Sequence, residues 1–123
     1  MEKETIDLRE LMITINEKKE LNANLALEFD CKIEVEDFNT IVKLINYAIN
    51  YVSQLTDQQI QIALNASNRE YTLAFTAFTN KTEFPPISQQ VYEAIGSINI
   101  KIEQKGETGK YVQILLNFDR NSY

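Results

Sequence analysis

Apolar residues recur along this chain with two periods, and the switches between them mark out its elements. Leu8, Leu11, Met12 and Ile15 return at helical spacing behind Asp7. Asp7 and Glu10 have the spacing of a capping box, so a helix is predicted over 8–20. Leu25, Leu27 and Phe29 alternate, as do Ile33 and Val35, which predicts two short strands. Asp37 reads as a second N-cap. Behind it Phe38, Ile41, Val42, Ile45, Ala48, Ile49 and Val52 form the stripe of a longer helix reaching Ser53. Alternation returns at Ile60, Ile62 and Leu64, crosses the polar turn Asn65-Ala66-Ser67-Asn68, and resumes at Tyr71, Leu73 and Phe75, as in a hairpin. Pro85-Pro86 opens a third helix, with Ile87, Val91 and Ile95 on one face and Gly96 as its stop. Ile98, Ile100 and Ile102 alternate into Gly106-Glu107-Thr108-Gly109, and Tyr111 to Phe118 completes a second hairpin.

Helix, two strands, helix, hairpin, helix, hairpin is an α+β order. It predicts a two-layer sandwich, with three helices on one face of a mixed, mostly antiparallel sheet. Phe38, Ile41, Ile45, Ile49, Leu73, Phe75, Val91, Ile95 and Ile100 are the expected core. No linker or repeat interrupts the 123 residues, so 1–123 reads as a single domain. An apolar fraction of 44% is enough to give that domain a real core.

Charge and residue choice narrow the chemistry. With 18 acidic and 12 basic residues the net charge is −6, which opposes nucleic acid and anionic membrane as partners. The longest basic run, Lys18-Lys19, is flanked by Glu17 and Glu20. There is no histidine, which excludes Ser-His-Asp and Cys-His sites, a histidine metal centre and a phosphohistidine. Cys31 stands alone, so no internal disulfide forms and the thiol is expected to be an inert one in a reducing compartment. The polar start Met1-Glu2-Lys3-Glu4 has no apolar segment behind it, and no apolar run approaches the ~18 residues of a membrane span. The expected location is the cytoplasm. Glu34, Glu36 and Asp37 read as a strand edge plus N-cap rather than a metal cluster. Gly106 to Gly109 lies between strands and reads as a hairpin turn rather than a phosphate loop.

The element order and its local words resemble the ATP-binding domain of histidine kinases, the Bergerat or GHKL fold. Ile6-Asp7-Leu8-Arg9-Glu10-Leu11 is similar to the segment that follows those kinases' dimerisation helices. Leu44 to Tyr51 resembles their Asn-bearing helix, and Ile87 to Phe118 their last helix, glycine and terminal hairpin. The resemblance covers residues 5–119; it implies this ATPase-type domain without the dimerisation and His-bearing helices.

In that family an Asn on the second helix holds magnesium, an Asp binds the adenine amino group, and two glycine loops surround the phosphates. One register sets Asn46 and Asn50 on the Asn-x-x-x-Asn box, as a vestigial nucleotide and metal position. Another sets Leu44-Ile45-Asn46-Tyr47-Ala48-Ile49 on the family's Leu-Leu-x-Asn-Ala-Ile and puts Tyr47, a poor magnesium ligand, at the metal position. The plainer alternative is a polar helix face. Between Arg69 and Gly96 the chain has no Asp and no Gly, so neither the Asp-x-Gly-x-Gly motif nor the second glycine loop has a counterpart. Without them the adenine contact and the amides that cradle phosphates are missing. The connection from Phe78 to Ile87 is also too short for the family's mobile lid.

What the resemblance then implies is a non-catalytic protein-interaction module of bacterial signalling: not an enzyme, with no catalytic residue, no metal and no cofactor. Tyr47, Phe78, Asn80, Lys81 and Phe84 are its candidate partner surface, and the partner is a protein, either a different one or a second copy. Two alternatives stand beside it. One is a reduced ATP-dependent protein serine kinase of the anti-sigma-factor type; the other is a docking scaffold for a response regulator.

Overall fold

The computed structural model describes residues 4–96, 98 and 100–119, and among these residues the chain forms two sheets and three helices. The strands are β1 (Glu4–Asp7), β2 (Ala23–Leu27), β3 (Lys32–Val35), β4 (Ile60–Ala66), β5 (Glu70–Phe78), β6 (Ile100–Glu107) and β7 (Tyr111–Asp119). The helices are α1 (Leu8–Lys19), α2 (Phe38–Ser53) and α3 (Gln89–Ala94).

Both long helices start where their acceptors stand. The Asp7 carboxylate accepts from Arg9 N at 3.0 Å and Glu10 N at 3.2 Å, and α1 ends at Glu20 in the left-handed region. Asp37 accepts from Thr40 N at 3.2 Å and from the Thr40 hydroxyl at 2.7 Å. Those two bonds, the hydroxyl first, hold the Asp37 carboxyl below the usual carboxylate range. The third helix departs from expectation. It begins at Gln89, capped by the Ser88 hydroxyl, so the prolines belong to its approach.

The larger sheet has the order β2-β4-β5-β7-β6. β2 runs parallel to β4, and every other neighbouring pair in it is antiparallel. A parallel pair needs a crossover, and β3 with α2 supplies it. Alternation sorts the strands into two faces. Ile60, Ile62 and Leu64 of β4, Leu73, Phe75 and Ala77 of β5, and Val112, Ile114, Leu116 and Phe118 of β7 are buried in the core shared with the helices. The other face is polar and bonded to itself: Thr72 donates to Asn117, Asn117 to Glu103, and Gln113 to Thr76. The expected core residues are buried except Phe38, which is half-buried at the start of α2.

Two features were not anticipated. β1 pairs antiparallel with β3, Ile6 opposite Ile33, to make a separate two-stranded sheet. Phe29 does not extend β2. The chain turns there instead, Asp30 taking φ 56°, a conformation Asp tolerates better than most residues.

Candidate functional site

Residues 79–88, between β5 and α3, are tied down along their length. Past Phe78, Thr79 N donates to Lys110 O at 3.0 Å, and Gly109 N donates to Lys81 O at 2.8 Å. Gly109 has φ +79°, the left-handed geometry that this turn requires. Phe84 then lies against Gly106, where an added Cβ would come within 3.2 Å of the ring. The Pro85 carbonyl accepts from the Tyr51 hydroxyl and, at 3.3 Å, from Gln104 Nε2. Ser88 N donates to the Tyr47 hydroxyl at 3.0 Å.

Tyr47 and Tyr51 stand one turn apart on α2, with ring centroids 6.2 Å apart. Together they hold both ends of the Pro85–Ser88 stretch. The approach to α3 is therefore bridged to α2 at Pro85 and at Ser88. Burial, and then the neighbouring Tyr47, pushes the Tyr51 phenol above its usual range.

This raised value has a measurable sign. The contribution of Tyr51 to stability is whole below its ordinary pKa of ~10 and is lost as pH climbs through the folded value. Tyr51→Phe should remove that part of the alkaline loss. At neutral pH it should cost about 1–2 kcal/mol, because the Pro85 carbonyl keeps only Gln104. Thermal melts of both forms across the alkaline range check both statements.

The asparagines lie beside this tyrosine pair. Asn46 is half-buried, and its Oδ1 has no partner among the described residues. Asn50 is exposed, and its carbonyl accepts from Gln54 N at the end of α2.

The concave surface lies further along. A cleft of about 500 Å³ is lined by Gln54 to Gln58, Phe78 to Lys81, Gly109 and Lys110. Thr56 shapes it by donating to the Phe78 carbonyl at 2.7 Å. Phe78, Asn80 and Lys81 of the candidate surface come together here, and Phe78 is 48% exposed. Tyr47 and Phe84 are half-buried against the core and do not line the cleft. The 54–58 loop carried no sequence signal, because polar residues between a helix and a strand look like any connection. Chemically the cleft offers amide and hydroxyl hydrogen-bonding groups, Asp57, two lysines and one aromatic rim. Lys110 is engaged with Glu107 at 3.1 Å. Among the described residues, no helix is long and apolar enough to cross a membrane.

No protein-family model and no curated protein matches this sequence. Solved structures do. The histidine kinase AdeS of Acinetobacter baumannii gives a TM-score of 0.75 at 13% identity, over 99% of this chain and 69% of that one. The histidine kinase domain of the E. coli osmosensor EnvZ gives 0.74 at 12% identity, over 100% of this chain and 92% of that one. A nucleotide-free catalytic domain of the histidine kinase ThkA gives 0.70 at 16% identity, over the full length of both. The fold is that of the histidine-kinase ATPase domain. One expectation is thereby overturned, that the chain is not an enzyme. The structures it matches are of histidine kinases, the ThkA one of a catalytic domain, and the missing Asp and Gly are not evidence of lost activity.

Proposed function

We propose that this chain is a protein-docking module of bacterial signalling, acting in the cytoplasm through the cleft beside Phe78. The observation that carries the proposal is Phe78 itself, an aromatic ring 48% exposed at the end of a central strand and on the rim of a concavity. An aromatic side chain held by a rigid strand buries a large area on contact at low entropic cost. Asn80 and Lys81 supply polar and cationic groups beside it. The partner is a protein, a different one or a second copy. The fold supports the signalling role, since the solved domains that share it belong to histidine kinases.

A pull-down from the native cell, with the wild-type chain and Phe78→Ala as parallel baits, tests this reading. Phe78→Ala should weaken association about tenfold or more while its melting temperature stays near that of the wild type. Equal recovery by both baits, or a large drop in melting temperature with unchanged affinity of the folded fraction, rejects the docking surface. Titration with Mg-ATP separates docking from protein phosphorylation. Docking is expected to be the same with and without nucleotide. Saturable binding at micromolar nucleotide, lost in Asn50→Ala, would favour the serine-kinase alternative.

A further inference from the structure

Two segments of this chain account for its net charge. Residues 4–10 carry Glu4, Asp7 and Glu10 against Arg9. Residues 28–37 carry Glu28, Asp30, Glu34, Glu36 and Asp37 against Lys32. Eight carboxylates against two cations give −6, the net charge of the whole chain, and the remaining residues carry ten of each sign. The two segments are far apart in sequence. The fold joins them, pairing β1 with β3 from Glu4↔Val35 to Asp7↔Lys32 and adding the Leu8 N to Cys31 O bond at 2.9 Å.

Beside them stands Phe29, 70% exposed, more than either of the other exposed large hydrophobics, Phe78 and Tyr92. Its ring is held in position. The Arg9 guanidinium lies 4.2 Å from the ring centroid, so that cation is already engaged. The turn that presents the ring is fixed by Glu28 N donating to Leu64 O at 3.0 Å and by the Tyr71 hydroxyl donating to Asp30 O at 3.4 Å. A ring so held needs little further ordering when it is covered. Tyr71 and Phe78 lie seven residues apart on β5, about 24 Å at strand rise, so this surface and the Phe78 cleft lie toward opposite ends of the strand.

We propose that Phe29 and its carboxylate surround form a second docking surface, one that takes a Lys/Arg-rich protein segment with an apolar side chain to cover the ring. The aromatic supplies the anchor. The charge supplies the sign, because an acidic partner meets like charge here and a basic one is attracted and steered. A metal ion is the poorer occupant, since no three carboxylates among the described residues are grouped to hold one.

Fluorescence anisotropy of a labelled Lys/Leu peptide against the intact chain tests the proposal, with a Glu/Leu peptide of equal length as control. The Lys/Leu peptide should bind and weaken with added salt. Phe29→Ala should weaken it about tenfold. Glu34→Gln with Glu36→Gln, both exposed, should weaken it and flatten the salt dependence, and Phe78→Ala should change nothing. Phe29 is exposed and Glu34 and Glu36 lie on the surface, so all these variants should melt with the wild type. Wild-type affinity in Phe29→Ala would reduce the surface to unspecific charge, and equal binding of the Glu/Leu peptide would remove the charge argument; either result overturns the proposal.

Discussion

Ile45→Ala is expected to lower the unfolding free energy by about 2–5 kcal/mol. Ile45 has no exposed surface and sits mid-way along α2, which packs on the face formed by β5 and β7. The core around it is fully buried too, Ile41, Ile49, Phe75 and Ile114 among it, so little can collapse into the space that three lost heavy atoms would leave. Against the ~5–15 kcal/mol that holds a domain of this size folded, the loss is large. Chemical denaturation of Ile45→Ala beside Asn50→Ala, on the exposed side of the same helix, measures it. The Asn50 change should stay within ~0.5 kcal/mol. A similarly small effect at Ile45 would mean that the wrong face of α2 has been assigned to the core.

Gly106→Val is expected to cost on the order of 3 kcal/mol. The position is closed from two sides. A Cβ there would stand 2.8 Å from the Tyr111 carbonyl and 3.2 Å from Val112 Cα, both backbone, and 3.2 Å from the Phe84 ring. Relieving it therefore spreads the β6–β7 hairpin and lifts Phe84, and with Phe84 the connection that Tyr47 and Tyr51 hold to α2. Gly96→Ala is the matched control, because its Cβ would meet only carbonyl oxygens at 3.5 and 3.6 Å, an ordinary contact. Equal melting temperatures for Gly106→Val and Gly96→Ala would show that the hairpin yields freely and that Phe84 does not depend on it.

The strongly periodic elements were legible from residues alone. The stripe from Ile41 to Val52 is local chemistry, an apolar side chain at every turn of a helix, and α2 runs over the predicted residues. Alternation at Ile60–Leu64, Tyr71–Phe75, Ile98–Ile102 and Tyr111–Phe118 likewise marked β4 to β7, although β6 begins only at Ile100, since period two places one face inward whatever the neighbouring strand. The order of these elements was enough to point to the fold. The missing Asp and Gly between Arg69 and Gly96 were equally plain, but a missing residue type says nothing of what a rebuilt surface does.

What tertiary structure alone decided depends on partners distant in sequence. β1 has one buried apolar residue, Ile6, and forms because β3 supplies the other half of its hydrogen bonds. Phe29 reads as a strand residue, but the pairing with β4 ends at the Glu28 amide on Leu64 and the chain turns at Asp30. Residues 79–88 look like a free loop, and only the Lys110 carbonyl, the Gly109 amide and the two tyrosines of α2 reveal them as fixed. The cleft at Phe78 and the charge around Phe29 likewise join segments that no periodicity links. Hydrophobic period is set by a residue's own neighbours along the chain, whereas an unpaired backbone group takes its partner from whatever the packed core brings beside it.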